Sequence, residues 1–391
     1  MKIAQRIQSV QESMTLALDA KAKAMKAAGA DVLGFAAGEP DFDTPEPIKR
    51  RAIREIEAGN TKYAPASGTL ELKKAVAAKL KRDQGLEYEP AQIIISCGAK
   101  HSLYNIFMTL LDAGDEVLLP APYWLTYPEQ VTMAGGKTVV LPTSVAQNFK
   151  ITPAQLEAAI TPRTVALLLN SPSNPTGMLY TREELEALAA VLERHPAITI
   201  VSDEIYEKLI YGGERHVSIA QLSPALQART LLVNGMSKAY AMTGWRIGYT
   251  AGPKAFISAM GRMQSHSTSN PTTFCMPASV TALEECEADT TRMLEAFDGR
   301  RREMVRLLNA LSGVRCPEPM GAFYVFPDVS ATYAKLGVAG SIGFCDKLLD
   351  EAKVVCVPGA PFGEDRCIRL SYATSLEKIR EGVRRIAEFL K

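Results

Sequence analysis

The sequence predicts an α/β protein with a large domain on a mostly parallel, seven-stranded sheet and a smaller α+β domain. Three observations carry this. First, seven short runs rich in Ile, Val and Leu recur between about residues 90 and 250: QIIIS (92–96), EVLLP (116–120), KTVVL (137–141), TVALLL (164–169), ITIVS (198–202), TLLVN (230–234) and RIGYTA (246–251). Such runs read as strands that are apolar on both faces. Second, longer helical patterns separate them, as in TREELEALAAVLERH (181–195), and that alternation builds a parallel sheet. Third, the final part changes character: a long helical stretch from about 277 to 312 leads to GAFYVFPDV, a further helix, VVCVPG and CIRLSYA. The N-terminal segment, with a helix near 15–29 and the strand-like DVLGFAAG, has no partner of its own and joins that smaller unit. At 391 residues the chain suits two domains better than one. The expected division is a large domain at 46–289 and a small one from 1–45 with 290–391.

Composition narrows the partners. Lys and Arg number 44 and Asp and Glu 43, a net charge of +1, which argues against a nucleic acid or an anionic membrane. The start, MKIAQRIQSVQESM, lacks the apolar core of a signal peptide, and no apolar run approaches the ~18 residues of a membrane span. The seven cysteines are odd in number and form no CxxC pair, so buried thiols in a reduced, cytoplasmic protein are expected rather than disulfides or zinc. The four histidines show no metal-ligand spacing, and no metal is expected.

In an open parallel sheet, ligands bind beyond the carboxyl ends of the strands. Polar residues collect there. QIIIS is followed by Cys97-Gly98-Ala99-Lys100, opening a helix whose free N–H groups suit a phosphate. EVLLP leads to APYWLTYP with Trp124, TVALLL to NSPSNPTG with Asn174, and ITIVS to Asp203-Glu204-Ile205-Tyr206. TLLVN leads to Ser237 and Lys238, with Arg246 eight positions on. Each has an ordinary reading: a surface lysine, an N-cap aspartate, an Asn-Pro turn, a core tryptophan, an arginine in an ion pair. Their joint placement at successive strand ends weakens those readings.

Together they point to pyridoxal phosphate chemistry. A lysine forms Schiff bases with carbonyls, and an aspartate beside the pyridine nitrogen keeps the ring electron-accepting. A tyrosine and an asparagine can bond the ring oxygen, an aromatic can stack on the ring, and an arginine can grip phosphate with its planar fork. Lys238 and Arg246 would then hold opposite ends of one cofactor.

The stretches NSPSNPTG, SDEIYEKLIY, NGMSKAYAMTGWRIGY and IRLSYATS, in this order, resemble the class I aminotransferases, in particular the bacterial aspartate aminotransferase branch. AAGEPDFDTP and TKYAPASGTLELKKAV fit the same pattern, so the resemblance spans nearly the whole chain. It implies a fold-type I homodimer with active sites at the subunit interface and a ping-pong transamination between L-aspartate and 2-oxoglutarate. By the resemblance, Lys238 is the Schiff-base lysine and proton shuttle, and Asp203 pairs with the pyridinium nitrogen. Tyr206 and Asn174 contact the ring oxygen, and Trp124 stacks on the ring. Gly98, Ala99, Ser237 and Arg246 surround the phosphate, joined by Tyr63 from the other subunit. Arg369 grips the substrate α-carboxylate, helped by Asn174 and the backbone of Gly38. Lys100 matches a lysine used for the distal carboxylate of dicarboxylic substrates; its alternative is an ordinary surface lysine at a helix start.

Two departures bear on this. Some relatives carry a serine three positions before the lysine, where this chain has Gly235, so that phosphate contact comes from elsewhere. Prephenate-active members resemble SR-x-KPS near the N-terminus, where this chain has Ser9 in place of the arginine. Prephenate, aromatic, alanine or methionine transamination and a β-lyase remain alternatives on the same fold. A cofactor-sensing regulator would need an added basic arm, and a dehydrogenase a glycine fingerprint, and the chain carries neither. Substrate choice is expected to involve Lys100 and residues near Ser267 to Asn270 of the other subunit.

Overall fold

The computed structural model describes residues 1–10 and 14–391. The final residues of the stretch compared with the prephenate signature, 11–13, lie outside the described residues. All seven apolar runs form one sheet: Ile93–Ser96 (β1), Glu116–Pro120 (β2), Lys137–Leu141 (β3), Thr164–Asn170 (β4), Thr199–Asp203 (β5), Thr230–Gly235 (β6) and Gly248–Ala251 (β7). The spatial order is β1-β7-β6-β5-β4-β2-β3. Every neighbouring pair is parallel except those made by β7, which runs against β1 and β6. Helices cover the sheet, and their ends are set by local chemistry. Helix Arg182–Arg194 starts at a Thr181–Glu184 capping box, and helix Leu70–Gln84 stops at Gly85 in the left-handed region (φ 67°).

Four sequence expectations are corrected. KTVVL is not buried on both faces: β3 is the outermost strand, and Val140 is exposed at that edge of the sheet. The strand expected from residue 246 begins at Gly248, because the turn Thr243–Trp245 places Arg246 in the left-handed region (φ 57°), outside the ladder. The single long helix is two, Cys275–Glu285 and Glu287–Asn309, broken at the non-helical Cys286. The break redirects the chain, since the first packs on helices Glu46–Glu57 and Leu70–Gln84 and the second on Leu376–Phe389. VVCVPG is two strands in two sheets. Val354–Val355 runs parallel to Leu33–Gly34, and Val357–Pro358 runs antiparallel to Ile368–Ser371.

That last division joins the chain ends. Leu33 and Gly34 pair with Val354 and Val355, and the Ser371 N–H donates to the Phe35 carbonyl at 2.8 Å. Around this seam Phe35, Phe297, Phe323, Tyr324, Phe344 and Ile386 form one buried cluster. Gly382 faces it with no room for a side chain: an added Cβ would lie 2.3 Å from the Phe35 ring. Gly382→Ala is therefore expected to destabilise the protein by ~1–3 kcal/mol through overpacking, read from urea unfolding; an unchanged midpoint would refute the close packing.

Candidate active site

The strand ends converge on a cavity of about 480 Å³. Of the thirteen positions singled out from the sequence, all line it except Gly98 and Tyr63. β5 ends at Asp203, so the residue is the last of a strand and not a helix cap. It is fully buried: Tyr127 Oη donates to Oδ2 at 2.7 Å and the Ile205 N–H to Oδ1 at 3.2 Å. Burial dominates these contacts and raises the carboxyl to about 6. Beside it, the Asn170 amide donates to the Asp203 carbonyl at 3.0 Å and accepts the Asn174 N–H at 2.9 Å, tying two strand ends together.

Lys238 follows β6 and donates from Nζ to the Gly38 carbonyl. Among the described residues no carboxylate hydrogen-bonds it. Burial, reinforced by the Arg369 charge, lowers its amine to about 8. Its Nζ stands 5.9 Å from the Tyr206 ring and 5.7 Å from Phe323. Tyr206 shares a hydrogen bond with Tyr324 at 3.1 Å between hydroxyl oxygens, and burial pushes its own hydroxyl well up.

Arg369 comes from strand Ile368–Ser371 and is buried, its guanidinium 4.5 Å from the Tyr324 ring and 5.3 Å from Phe362. One terminal nitrogen donates to Asn174 Oδ1 at 3.0 Å and the other to the Ala36 carbonyl at 2.8 Å, while Nε has no partner among the described residues. A buried guanidinium without a carboxylate is a site for an anionic ligand. Across the cavity, Lys100 Nζ lies 4.9 Å above the Trp124 ring, and burial lowers its amine.

Gly98, Ala99 and Arg246 meet at a helix N-terminus, an arrangement suited to seating an anion. Helix Ala99–Leu110 starts at Gly98, and Arg246 donates to the carbonyls of Thr243 (2.7 Å) and Cys97 (3.4 Å). Gly98 adopts φ 87°, and a Cβ there would lie 2.5 Å from the Arg246 guanidinium. Only glycine allows the arginine so near the helix N-terminus. Gly235, the departure from the serine of some relatives, packs against β7, where a Cβ would meet the Ile247 carbonyl at 2.8 Å.

Tyr63 lies elsewhere. It is 92% exposed and shares a shallow hollow with Thr268, Ser269 and Asn270, away from this chain's cavity. Ten lining residues went unassigned from sequence, among them Tyr127, Asn170, Tyr324 and Glu39. Tyr127, Asn170 and Tyr324 sit inside stretches already quoted (APYWLTYP, NSPSNPTG, GAFYVFPDV), while Glu39 receives a hydrogen bond from Thr243 at 2.8 Å. Behind the site, ligand atoms of Glu204, Glu207 and His216 gather within 4.8 Å, a grouping that the sequence spacing did not reveal. Gln84 bridges the two carboxylates at 2.8 and 2.7 Å.

Comparison with known proteins decides the family. Residues 30–386 match the family "Aminotransferase class I and II". The chain belongs to that family. The aspartate aminotransferase of Geobacillus stearothermophilus is 51% identical over 391 residues, covering 100% of this chain and 99% of the relative. The aspartate/prephenate aminotransferase of Nitrosomonas europaea is 46% identical, with both chains covered in full. Among solved structures, the aspartate aminotransferase from Rhizobium meliloti superposes with a TM-score of 0.96 at 44% identity, over 100% of this chain and 99% of its own. The Thermus thermophilus enzyme with maleate gives 0.94 at 42% identity, over 99% of each.

The aminotransferase is pyridoxal phosphate-dependent, and the cavity fits that cofactor on its own chemistry. It offers an amine held near neutrality, a buried carboxylate without a cation bonded to it, and a helix N-terminus facing an arginine. Asp203 also gives a pH signature. An unfolded aspartate titrates near ~3.9. With the folded value raised to about 6, its contribution is favourable at low pH and is lost as pH rises through that window. Relative to Asp203→Asn, the cofactor-free enzyme is expected to lose ~2 kcal/mol of unfolding free energy between pH 4 and 6.5. Parallel pH curves for the two proteins in urea would refute it.

Proposed function

We propose that this aminotransferase exchanges the amino group between L-aspartate and 2-oxoglutarate by a ping-pong reaction. The observation that carries the substrate reading is two of the cations that line the cavity, buried Arg369 with its unpartnered Nε and Lys100 above Trp124. Two carboxylates on one small substrate suit two such charges. The Geobacillus relative is named for aspartate, and the Thermus relative was solved with maleate, a dicarboxylate; both support the same reading.

The bound cofactor supplies a carbonyl that condenses with amines and a ring that accepts the electron pair left at Cα. Every other task falls to the chain's own residues. Lys238 Nζ is the group that links to the cofactor and moves the proton at the substrate Cα, and an amine near 8 is poised for this. Asp203, oriented by Tyr127, keeps the ring nitrogen protonated. Tyr206 and Asn174 would hydrogen-bond the ring oxygen, and Trp124 would stack on the ring. Gly98, Ala99, Ser237 and Arg246 would hold the phosphate. Arg369 orients the α-carboxylate with Asn174 and the Gly38 backbone. We also propose a cytoplasmic homodimer in which exposed Tyr63 reaches the other subunit's phosphate, with domains at 46–289 and at 1–45 plus 290–391. The 92% exposure of Tyr63 supports that assignment.

The test is a donor screen on the holoenzyme with 2-oxoglutarate as acceptor. Aspartate is expected to exceed alanine, methionine and tyrosine. Lys100→Met is expected to cut kcat/KM for aspartate by ~10–100-fold, one charge-assisted contact, while that for alanine stays within about two-fold. Preference for tyrosine or methionine, or an equal loss for all donors, would overturn the substrate reading.

A further inference from the structure

Gln264, in the last turn of helix Lys254–Ser265, is sealed from water, and its amide is fully used. Oε1 accepts from Ser96 Oγ at 3.0 Å and from Asn105 Nδ2 at 2.8 Å. Nε2 donates to the carbonyls of Ala66 at 2.6 Å and Ile95 at 2.8 Å. Two carbonyls on one side accept only from the NH₂, so the amide has one orientation. Ser96 and Asn105 are equally buried, and none of the three lines the cavity.

These partners bracket the anion seat. Ser96 ends β1, and its carbonyl accepts the Gly98 N–H at 2.7 Å. Asn105 belongs to helix Ala99–Leu110, whose first turn is the seat itself. The Ile95 peptide is held from both ends, its N–H bonded to the Ser67 carbonyl at 3.0 Å and its carbonyl to Gln264. Gly68 packs against the same residue so tightly that a Cβ would lie 2.4 Å from it. The strand end and the helix that follows it are therefore referenced to one buried amide.

We propose that Gln264, acting through Ser96 and Asn105, is a positioning residue for the phosphate group of the cofactor. Hydrogen bonds from a helix N-terminus to an anion need placement within about 0.5 Å, and Gln264 sets where that first turn stands relative to Arg246. The proposal rests on reading the cavity as the pyridoxal phosphate site.

The test uses cofactor-free full-length protein titrated with pyridoxal phosphate, with phosphate-free pyridoxal, and with inorganic phosphate as competitor. Gln264→Met leaves four buried groups without partners and is the variant most prone to unfold, so Ser96→Ala and Asn105→Ala each remove a single arm. Each is expected to reduce the preference for pyridoxal phosphate over pyridoxal by ~5–20-fold, the worth of a misplaced hydrogen bond. Inorganic phosphate should weaken in parallel, with pyridoxal itself within about two-fold. Ser279→Ala is the control for a purely structural loss. It removes an equally buried hydrogen bond, Ser279 Oγ to the Cys275 carbonyl at 2.8 Å, and should leave the preference unchanged. A wild-type preference retained in both folded arm variants, or lost equally in Ser279→Ala, would overturn the positioning role. No preference in the wild type would instead overturn the cofactor reading beneath it.

Discussion

Lys238→Ala is expected to lower turnover by at least ~10³-fold while the protein still takes up pyridoxal phosphate. The effect is large because two tasks share one atom. Nζ is a cavity amine held near 8 by burial and the Arg369 charge, which outweigh the opposing pull of Glu39 and Asp203. On the proposed mechanism, alanine removes both the covalent anchor and the proton carrier. The sharper readout is exchange of the donor's Cα hydrogen with solvent, which should fall with turnover because it needs only the proton step. Retained exchange with lost turnover would assign the proton to another group.

Arg369→Lys is expected to reduce kcat/KM for every amino and oxo acid by ~10–100-fold, with cofactor affinity unchanged. Two terminal nitrogens are already fixed by Asn174 and Ala36, and the Tyr324 and Phe362 rings flank the guanidinium. The planar fork therefore stands preoriented, with little entropy left to lose on binding. A lysine keeps the charge but lacks the fork, so the loss should fall mainly on KM. A variant that binds substrate normally but loses cofactor would move Arg369 out of the substrate site.

Much of this was legible before any coordinates. Buried strands announce themselves as short runs of branched residues, and the polar residue after each run falls where a parallel sheet opens. Asp203, Lys238 and Asn174 were found on that logic alone. Tyr127 escaped because a tyrosine three positions after Trp124 looks like core; only its 2.7 Å bond to Asp203 shows that it serves the site. Arg369 was reached only through resemblance, since its strand lies far along the chain and nothing local marks it. Gln264 was invisible, because a buried amide is recognised by the partners that tertiary packing brings from three separate segments. The break at Cys286 was missed for a related reason: both helices carry good helix formers, and only their different packing partners divide them.

The most direct test mixes holoenzyme with ¹⁵N-aspartate and no oxo acid, then adds 2-oxoglutarate. Transamination by a ping-pong route predicts about one oxaloacetate per active site in the first step, followed by ¹⁵N-glutamate in the second. No oxaloacetate before the oxo acid is added, or continuous release of ammonia, would contradict it.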